Sequence, residues 1–194
     1  TATAGNVTGI SFAGSAPTSG THSVANNTLN TLSSTSTTGT VAGIASSGSG
    51  VNISGHAIYG LSCNGSTSGV TNGIMVTGGT NVGVFKNKIY DLTTSGAFTT
   101  TPGVNGIVLS GSSTSVTANV FNNLIGDLKA PAANSTDAIR GISVTATGTS
   151  SNYNISYNTV SLSASSTGAN FGTSGLFHAA STTATTATLT LRNN

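Results

Sequence analysis

The residues with the clearest potential for chemistry are Asp91 and Asp127, because they occupy the same place in two nearly identical stretches. "VFKNKIYDL" covers residues 84–92, "VFNNLIGDL" covers residues 120–128, and six of the nine letters agree. If these stretches are adjacent layers of a stacked β-structure, the two Cα atoms lie about 5 Å apart. Retaining glycosidases use two carboxyl groups at about that separation. The pair is therefore a candidate for glycan hydrolysis or for Ca²⁺ binding.

The surroundings of this carboxylate pair favour a simpler role. Other units carry Thr31, Gly60 and Ser161 nearby, and no His or Arg occurs at a matching offset in the two units that hold the pair. Ca²⁺ takes about six to eight oxygen ligands, and two carboxylates supply too few. Lys88 and Lys129 are close enough in sequence to neutralise the pair. We therefore expect a surface ion cluster, with no metal and no catalytic role.

The remaining reactive side chains do not form a recognisable catalytic or metal-binding set. His22, His56 and His178 stand at three different offsets, whereas a metal site needs its ligands within one coordination sphere. No G-x-S-x-G motif is present to support a serine nucleophile. Cys63 is the single cysteine, and a buried, inert thiol is the commoner role for such a residue. The sequence predicts no enzymatic activity and no cofactor.

Three aromatic residues form a candidate contact surface. Phe85 and Phe121 share one outward offset, and Tyr157 stands one position further along in the next unit. An exposed aromatic strip can bind sugar rings or a neighbouring protein, and it can equally be covered by a loop. Polysaccharide is thus a possible partner of this strip.

The composition excludes several classes of function. Charged residues make up 4% of the 194 residues, against about 25% in an ordinary soluble domain, and Ser and Thr together make up about a third. The five basic residues are scattered, so we expect no nucleic-acid partner. No stretch approaches the roughly 18 apolar residues of a membrane span. A surface of hydroxyl and amide groups offers trypsin-like proteases few sites, which indicates an extracellular or cell-surface protein.

A repeat with a period near 33 residues organises the chain. A Gly followed by Ile or Leu recurs with spacings of 34, 30, 33, 35 and 34 residues, at Gly9, Gly43, Gly73, Gly106, Gly141 and Gly175. A second motif, V-x-x-N-x-I-x-x-L, begins at Val24, Val84 and Val120. Two further copies deviate from it: the copy at Ile53 has His in place of Asn, and the copy at Ile155 is one residue short before its last Leu.

Inside each unit the apolar residues alternate with a period of two, which is typical of strands with one buried face. Three short strands per unit without helical periodicity predict a parallel β-solenoid of five full coils and a partial sixth, forming a single domain over residues 1–194. Equivalent residues of successive coils then form buried columns. Two such columns are Ile10/Ile44/Ile74/Ile107/Ile142/Leu176 and Val24/Ile53/Val84/Val120/Ile155/Leu191.

A polar column accompanies the apolar ones. It consists of Asn27, His56, Asn87, Asn123, Asn158 and Asn194. Asn tolerates the left-handed backbone conformation of a tight bend, and its amide can bond to the backbone and to the Asn of the next coil. We expect this column to be a structural ladder at one corner of every coil.

The recurring G-I-x-[VLF] and [VI]-x-x-N-x-[ILV] patterns resemble the right-handed parallel β-helix repeats of the pectate-lyase-like superfamily. The resemblance covers nearly all of the chain and is closest to low-charge, Ser/Thr-rich arrays of secreted bacterial surface proteins. It implies a right-handed solenoid, but that superfamily includes lyases, hydrolases, phage tailspikes, adhesins and structural fibres. The resemblance therefore does not select a function.

The sequence favours a non-enzymatic structural or adhesive module of an extracellular surface protein or filament. Neither end of the chain reads as a cap, so we expect coils to continue beyond both ends, either in a longer chain or by self-association of subunits. The alternative is a carbohydrate-binding module or glycan-active β-helix enzyme. Ice binding is less favoured, because no outward column repeats a Thr-x-Thr pair in every coil.

Overall fold

The protein is an all-β solenoid in a computed structural model that describes residues 5–65, 67–99, 102–179, 183 and 186–194. These residues form 21 strands and no helix, and the strands stack as parallel sheets over about five turns. No segment of the described residues is a helix of sufficient length and apolarity to cross a membrane. The predicted all-β solenoid is confirmed.

Each coil contributes a short series of strands. The first coil contains β1 (Val7–Phe12), β2 (His22–Ala25), β3 (Thr28–Asn30) and β4 (Ser33–Ser34). The second contains β5 (Thr40–Ser46), β6 (Val51–Ser54), β7 (Ala57–Tyr59) and β8 (Leu61–Cys63). The third contains β9 (Val70–Val76), β10 (Val82–Phe85), β11 (Lys88–Ile89) and β12 (Leu92–Thr94). The fourth contains β13 (Val104–Leu109), β14 (Thr117–Phe121), β15 (Leu124–Gly126) and β16 (Leu128–Lys129). The fifth contains β17 (Ile139–Val144), β18 (Asn152–Ser156) and β19 (Thr159–Ser161), and the sixth contains β20 (Thr173–His178) and β21 (Thr188–Arg192).

Equivalent strands of successive coils pair in parallel and form four sheets. Sheet 1 has the order β1-β5-β9-β13-β17-β20, and sheet 2 has the order β2-β6-β10-β14-β18-β21. Sheet 3 has the order β3-β7-β11-β15-β19, and sheet 4 has the order β4-β8-β12-β16. The order within each sheet is the order of the coils, so every strand pairs only with its own equivalents in the adjacent coils.

The register confirms the predicted apolar columns. Ile44 pairs with Ile10 and Ile74 in sheet 1, and Ile53 pairs with Val24 and Val84 in sheet 2. The side chains of these columns are almost fully buried in the middle coils and form one continuous core. Because equivalent side chains stack directly on one another, the apolar end surface of each coil is covered by the matching surface of the next coil.

Sheet 4 was not expected, because the sequence predicts three strands per coil and the first four coils each have a fourth. It contains the final Leu of the V-x-x-N-x-I-x-x-L motif in three coils, and Leu61, Leu92 and Leu128 stack in register. Its strands have only two or three residues, which is too short for an alternating pattern to reveal them. The fifth coil, whose motif is one residue short, forms no strand over residues 162–172, all of which are described.

Close approach between sheets 1 and 3 explains the glycine of the Gly-Ile pair. A Cβ atom on Gly106 would stand 2.5 Å from Ile125 Cγ2 of sheet 3 and 2.6 Å from the Gly141 carbonyl oxygen of the next coil. Gly43, Gly73 and Gly141 meet the same two kinds of neighbour. Among the described residues, apart from the two chain neighbours of Gly175, none lies within 4 Å of the corresponding position in the last coil. The glycine is thus required by space, because only hydrogen fits between the two sheets.

Substitution within the glycine column tests this packing. We expect Gly106→Ala to lower the free energy of unfolding by roughly 1–3 kcal/mol, because the added methyl group overpacks the contact between sheets 1 and 3. Gly175→Ala is the matched control and should change it by less than about 0.5 kcal/mol. Urea denaturation followed by circular dichroism measures both, and equal destabilisation by the two variants would contradict the explanation.

Candidate functional site

The structure brings the predicted polar column together at the corner between sheets 2 and 3. Its members in the four middle coils are almost completely buried, with exposures of 1–3%. They are His56, Asn87, Asn123 and Asn158. Buried amides are tolerated only where their donors and acceptors are bonded, so the hydrogen bonds of this column decide whether it stabilises the fold.

Asn123 shows how each rung of this asparagine ladder is bonded. Its Oδ1 accepts hydrogen bonds from the main-chain N–H and the Nδ2 of Asn87 in the preceding coil, at 3.1 and 2.9 Å. Its Nδ2 donates to the Val84 carbonyl of that coil at 2.9 Å and to Asn158 Oδ1 of the following coil at 2.9 Å. Asn158 and Asn194 repeat the pattern. Every side chain therefore ties its coil back to the preceding one.

The backbone geometry of the ladder corrects one expectation. The left-handed conformation belongs to the residue before each ladder position, with φ between 51° and 70°, and not to the ladder residue itself. These preceding residues are Asn26, Gly55, Lys86, Asn122, Tyr157 and Asn193. The sharp turn at that position aims the next side chain inward, where its amide reaches the neighbouring coil. The ladder Asn is selected for its hydrogen bonds and not for its tolerance of positive φ.

His56 takes over both functions of an asparagine amide. Its Nδ1 accepts the main-chain N–H of Asn27 at 3.1 Å, as an Asn Oδ1 would, and its Nε2 lies 2.9 Å from the Val24 carbonyl oxygen. The carbonyl can only accept, so the proton is on Nε2 and the imidazole is neutral. Its main-chain N–H donates to Asn87 Oδ1 at 3.0 Å. His56 thus continues the ladder only as the neutral imidazole with its proton on Nε2.

Burial lowers the pKa of His56 below its ordinary value, although its hydrogen bonds with the main chain of Val24 and Asn27 raise it in part. Protonation of Nδ1 would remove the acceptor for the Asn27 N–H, so the neutral imidazole is the form that completes the ladder. Because the unfolded chain binds the proton more readily, this contribution to stability is complete above the ordinary pKa of 6.5 and is lost as the pH falls below it.

The aromatic residues Phe85 and Phe121 stack on the outward face of sheet 2. Their ring centroids are 4.8 Å apart and their planes differ by 7°. Both rings are half-buried, and the same position is Ser54 in the preceding coil and Ser156 in the following one. Tyr157 does not extend this stack, because it occupies the left-handed corner position and is 61% exposed.

Two open grooves lie on this face of sheet 2. The first has a volume of about 410 Å³ and is lined by Thr21, Asn52, Asn81, Val82, Gly83, Phe85, Asn119 and Phe121. The second has a volume of about 310 Å³ and is lined by Asn154, Ile155, Ser156, Tyr157, Thr190 and Arg192. The lining combines amide groups with aromatic rings, which is a combination suited to a ligand with both hydroxyl groups and apolar faces.

A second aromatic stack was missed by the sequence analysis. Tyr59 and Tyr90 lie in consecutive coils with ring centroids 5.0 Å apart and an angle of 11° between planes. Asn30 Nδ2 donates to the Tyr59 hydroxyl at 3.1 Å, and Lys88 Nζ lies 4.9 Å from the centre of the Tyr90 ring. The available signal was their common offset, three residues after a ladder position. These tyrosines are already engaged with protein groups.

The carboxylates of Asp91 and Asp127 come together around one lysine. Lys129 Nζ lies 2.9 Å from Asp91 Oδ1 and 3.0 Å from Asp127 Oδ2. The hydrogen bonds with Asp91 and then Asp127 raise the pKa of Lys129 above its ordinary value. All three side chains are about half exposed, so the cluster adds little to stability. Lys88 Nζ lies over the Tyr90 ring instead.

A more buried charged cluster on sheet 1 was also missed. The Arg140 guanidinium bonds to Asp137, with Nε 2.7 Å from Oδ2, and its central carbon lies 3.4 Å from the centre of the Phe177 ring. Ser174 Oγ donates to the other oxygen of Asp137 at 2.9 Å. The group joins the fifth coil to the sixth. Its charges are paired within the protein, which assigns it a structural role.

The other candidate side chains remain apart. His22 Nε2 lies 2.8 Å from the Ser15 carbonyl oxygen, and His178 belongs to the sixth coil. Cys63 is fully buried, as predicted, with Sγ 3.3 Å from the Gly39 carbonyl oxygen. Among the described residues, no three His, Cys, Asp or Glu side chains are placed to hold a metal ion.

Comparison with protein-family models, with curated proteins and with solved structures finds no match to this chain. The parallel solenoid is therefore established by the structure itself. The resemblance to the pectate-lyase-like superfamily rests on the repeat pattern alone.

Removal of one rung tests the energetic role of the asparagine ladder. Asn123→Ala leaves the buried Asn87 N–H and the Val84 carbonyl without these partners, and we expect it to lower the free energy of unfolding by at least about 1–3 kcal/mol. Asn154→Ala is the control, because this residue is less buried and its side chain makes a single hydrogen bond to the described residues, to Asn119. Chemical denaturation measures the loss in free energy of unfolding for both variants. Equal losses would contradict the energetic role of the ladder.

The pH dependence of stability tests the role of His56. We expect the melting temperature of the natural chain to fall relative to that of His56→Asn as the pH is lowered from 7 to about 5. The histidine must shed its proton to complete the ladder, whereas asparagine carries none. Other titrating groups are common to both chains, so the difference between their calorimetric profiles isolates His56. Parallel profiles would show that its protonation is not coupled to folding.

Proposed function

We propose that this chain is a non-enzymatic structural or adhesive module of an extracellular surface protein or filament. The observation that carries the proposal is the unbroken stacking of six coils through apolar columns and the asparagine ladder. A stack held together at every coil is a stiff rod, since bending it would break register in several sheets at once. Rods of this kind suit spacing, scaffolding and display.

The end faces support the continuation of the solenoid by further coils. Leu191 is 49% exposed, whereas Ile155 in the same column of the preceding coil is 2% exposed. Next to Leu191 an apolar cavity of about 50 Å³ is open at the sixth coil. Strands β1 and β20, and likewise β2 and β21, each have one edge that pairs with no other described strand. A further coil, from the same chain or from another copy, would cover these apolar side chains and free edges.

The chemistry of the surface supports an extracellular location. With charged residues at 4%, the exposed groups are mainly hydroxyls and amides. Such a surface depends little on ionic strength, because salt screens charges and leaves neutral hydrogen bonds almost unaffected. A polymer or display module exposed to changing salt would benefit from this property.

Carbohydrate recognition is the second candidate function. It is favoured by the grooves on sheet 2, where aromatic rings and amides lie side by side. The geometry gives less support to a glycan-active enzyme, because Lys129 bonds to both Asp91 and Asp127. Ice binding also has little support, since the outward column Ser11/Ala45/Met75/Val108/Ser143/Phe177 has no repeated threonine.

Addition of one coil tests whether the end face accepts another. A chain in which residues 124–158 are repeated after Asn194 continues the motif in register, because Asn123 and Asn194 are equivalent ladder positions. We expect this longer chain to melt at a higher temperature than the natural one, since each added interface stabilises a solenoid. Calorimetry measures the shift, and an unchanged or lower melting temperature would argue against continuation.

A leucine substitution in both chains provides the control. Leu191→Ser should have a small effect in the natural chain and should cost roughly 2–5 kcal/mol in the longer one, where Leu191 becomes buried. Leu124→Ser, at a lateral leucine that is 46% exposed, should have a small effect in both. The contrast between the two chains therefore reports stacking specifically.

A further inference from the structure

We propose that the outward face of sheet 2 binds a neutral polysaccharide whose chain lies along the solenoid axis. The binding face comprises the two grooves on this sheet, one on the first to fourth coils and the other on the fifth and sixth. The proposal rests on the second candidate function, carbohydrate recognition, and does not depend on whether further coils stack on the ends.

Unpaired amides give the first groove its hydrogen-bonding capacity. Asn52 and Asn119 stand on either side of Gly83 in one outward column of sheet 2. The Asn52 side chain makes no hydrogen bond to any described residue. It lies over Gly83, in a notch left by the missing side chain, since a Cβ atom on Gly83 would stand 2.4 Å from Asn52 Oδ1. Within the described part of the chain, the Asn119 side chain bonds only through its Oδ1, which accepts from Asn154 Nδ2 at 3.0 Å. The remaining donors and acceptors are available to sugar hydroxyls.

The phenylalanine stack supplies the apolar wall of the same groove. Phe85 and Phe121 stack beside Gly83 with an angle of 7° between their planes, and the parts of the two rings that they do not cover in each other form the apolar side of the groove. A sugar ring has hydroxyl groups at its rim and C–H groups on its faces, so it matches a site where amides adjoin aromatic carbon. A purely apolar ligand would leave the amides unpaired, and a purely ionic one would gain nothing from the rings.

The charge of the lining selects a neutral sugar. The first groove is lined by amide, hydroxyl, aliphatic and aromatic groups, and none of its lining residues is Asp, Lys, Arg or His. Arg192 is the one charged side chain that lines the second groove. Among the residues that line the two grooves, a polyanion would meet Arg192 as the single cation over six coils, which is too few for charge pairing. Neutral hydroxyls need no such compensation.

The arrangement of the grooves favours a polymer over a single sugar. Phe121 and Asn119 in the first groove pair directly with Ser156 and Asn154 in the second, so the two grooves meet at adjacent coils. Both grooves are open, and each contributes few contacts to one sugar unit. A chain that occupies both at once gains affinity from its linked units, because binding of the first raises the effective concentration of the next.

Titration with oligosaccharides of defined length tests the proposal. The probes are the hexaoses of β-1,4-glucose, β-1,4-mannose and β-1,4-xylose, the corresponding disaccharides and, as an acidic comparison, an oligogalacturonate of six units. Binding is followed on the complete chain by calorimetry and by the Asn side-chain signals in NMR spectra. We expect at least one neutral hexaose to bind at least tenfold more tightly than its disaccharide and than the oligogalacturonate, with shifts at Asn52 and Asn119.

Two double variants locate the site. Phe85→Ser with Phe121→Ser introduces the residue that the neighbouring coils already carry at this position, so the fold should persist, and the affinity for the hexaose should fall at least tenfold. Tyr59→Ser with Tyr90→Ser is the matched control on sheet 3, where Ser161 occupies the same column, and should leave the affinity unchanged. Circular dichroism verifies that both variants retain the solenoid.

Three results would overturn the proposal. They are the absence of binding by every neutral hexaose at millimolar concentration, a preference for the oligogalacturonate, and equal affinity in the natural chain and the phenylalanine variant. If no saccharide binds but the phenylalanine variant reduces self-association in sedimentation experiments, the face is a lateral contact between solenoids. None of these results bears on the coil-addition experiment, so failure here is distinguishable from failure of the structural role.

Discussion

Every feature of this protein depends on the distance between stacked strands, about 4.8 Å, which places each residue directly on its equivalent in the next coil. Side chains that pack well against themselves are favoured under this constraint, and those that repel themselves are not. Ile, Val, Asn and Phe form columns, whereas a column of like charges would be destabilising. The one pair of stacked carboxylates, Asp91 and Asp127, has a lysine bonded to both. The scarcity of charge in the sequence follows from the same constraint.

The cross-section of each coil is set by a second contact, between the glycine column of sheet 1 and the aliphatic column of sheet 3. Ile58, Ile89 and Ile125 approach the backbone of sheet 1 so closely that a β-carbon would not fit. The contact gives strands of sheets 1 and 3 a partner across the interior as well as along the axis.

The asparagine ladder provides hydrogen-bond partners for main-chain groups that are buried at the corner between sheets 2 and 3. A tight turn leaves N–H and C=O groups that the sheets do not pair, and the ladder amides bond to them from the adjacent coil. Because each amide reaches back by one coil, the ladder resists separation of coils as well as opening of the corner. His56 preserves the pattern at the cost of a dependence on protonation. The same stacking that buries the ladder places the half-buried rings of Phe85 and Phe121 one above the other on the outward face of sheet 2.

The sequence by itself determined the solenoid, the period, the buried columns and the membership of the ladder, because these follow from the alternation of strands and the recurrence of motifs. It did not reveal sheet 4, whose strands are too short to alternate, and it assigned the left-handed conformation to Asn87 and not to Lys86, since only the turn in space distinguishes the two. Tertiary structure also decided which side chains meet across corners and loops, where sequence distance has no fixed relation to spatial distance. Lys129 rather than Lys88 contacts the aspartates, Arg140 contacts Phe177, and Tyr157 leaves the aromatic stack for these geometric reasons.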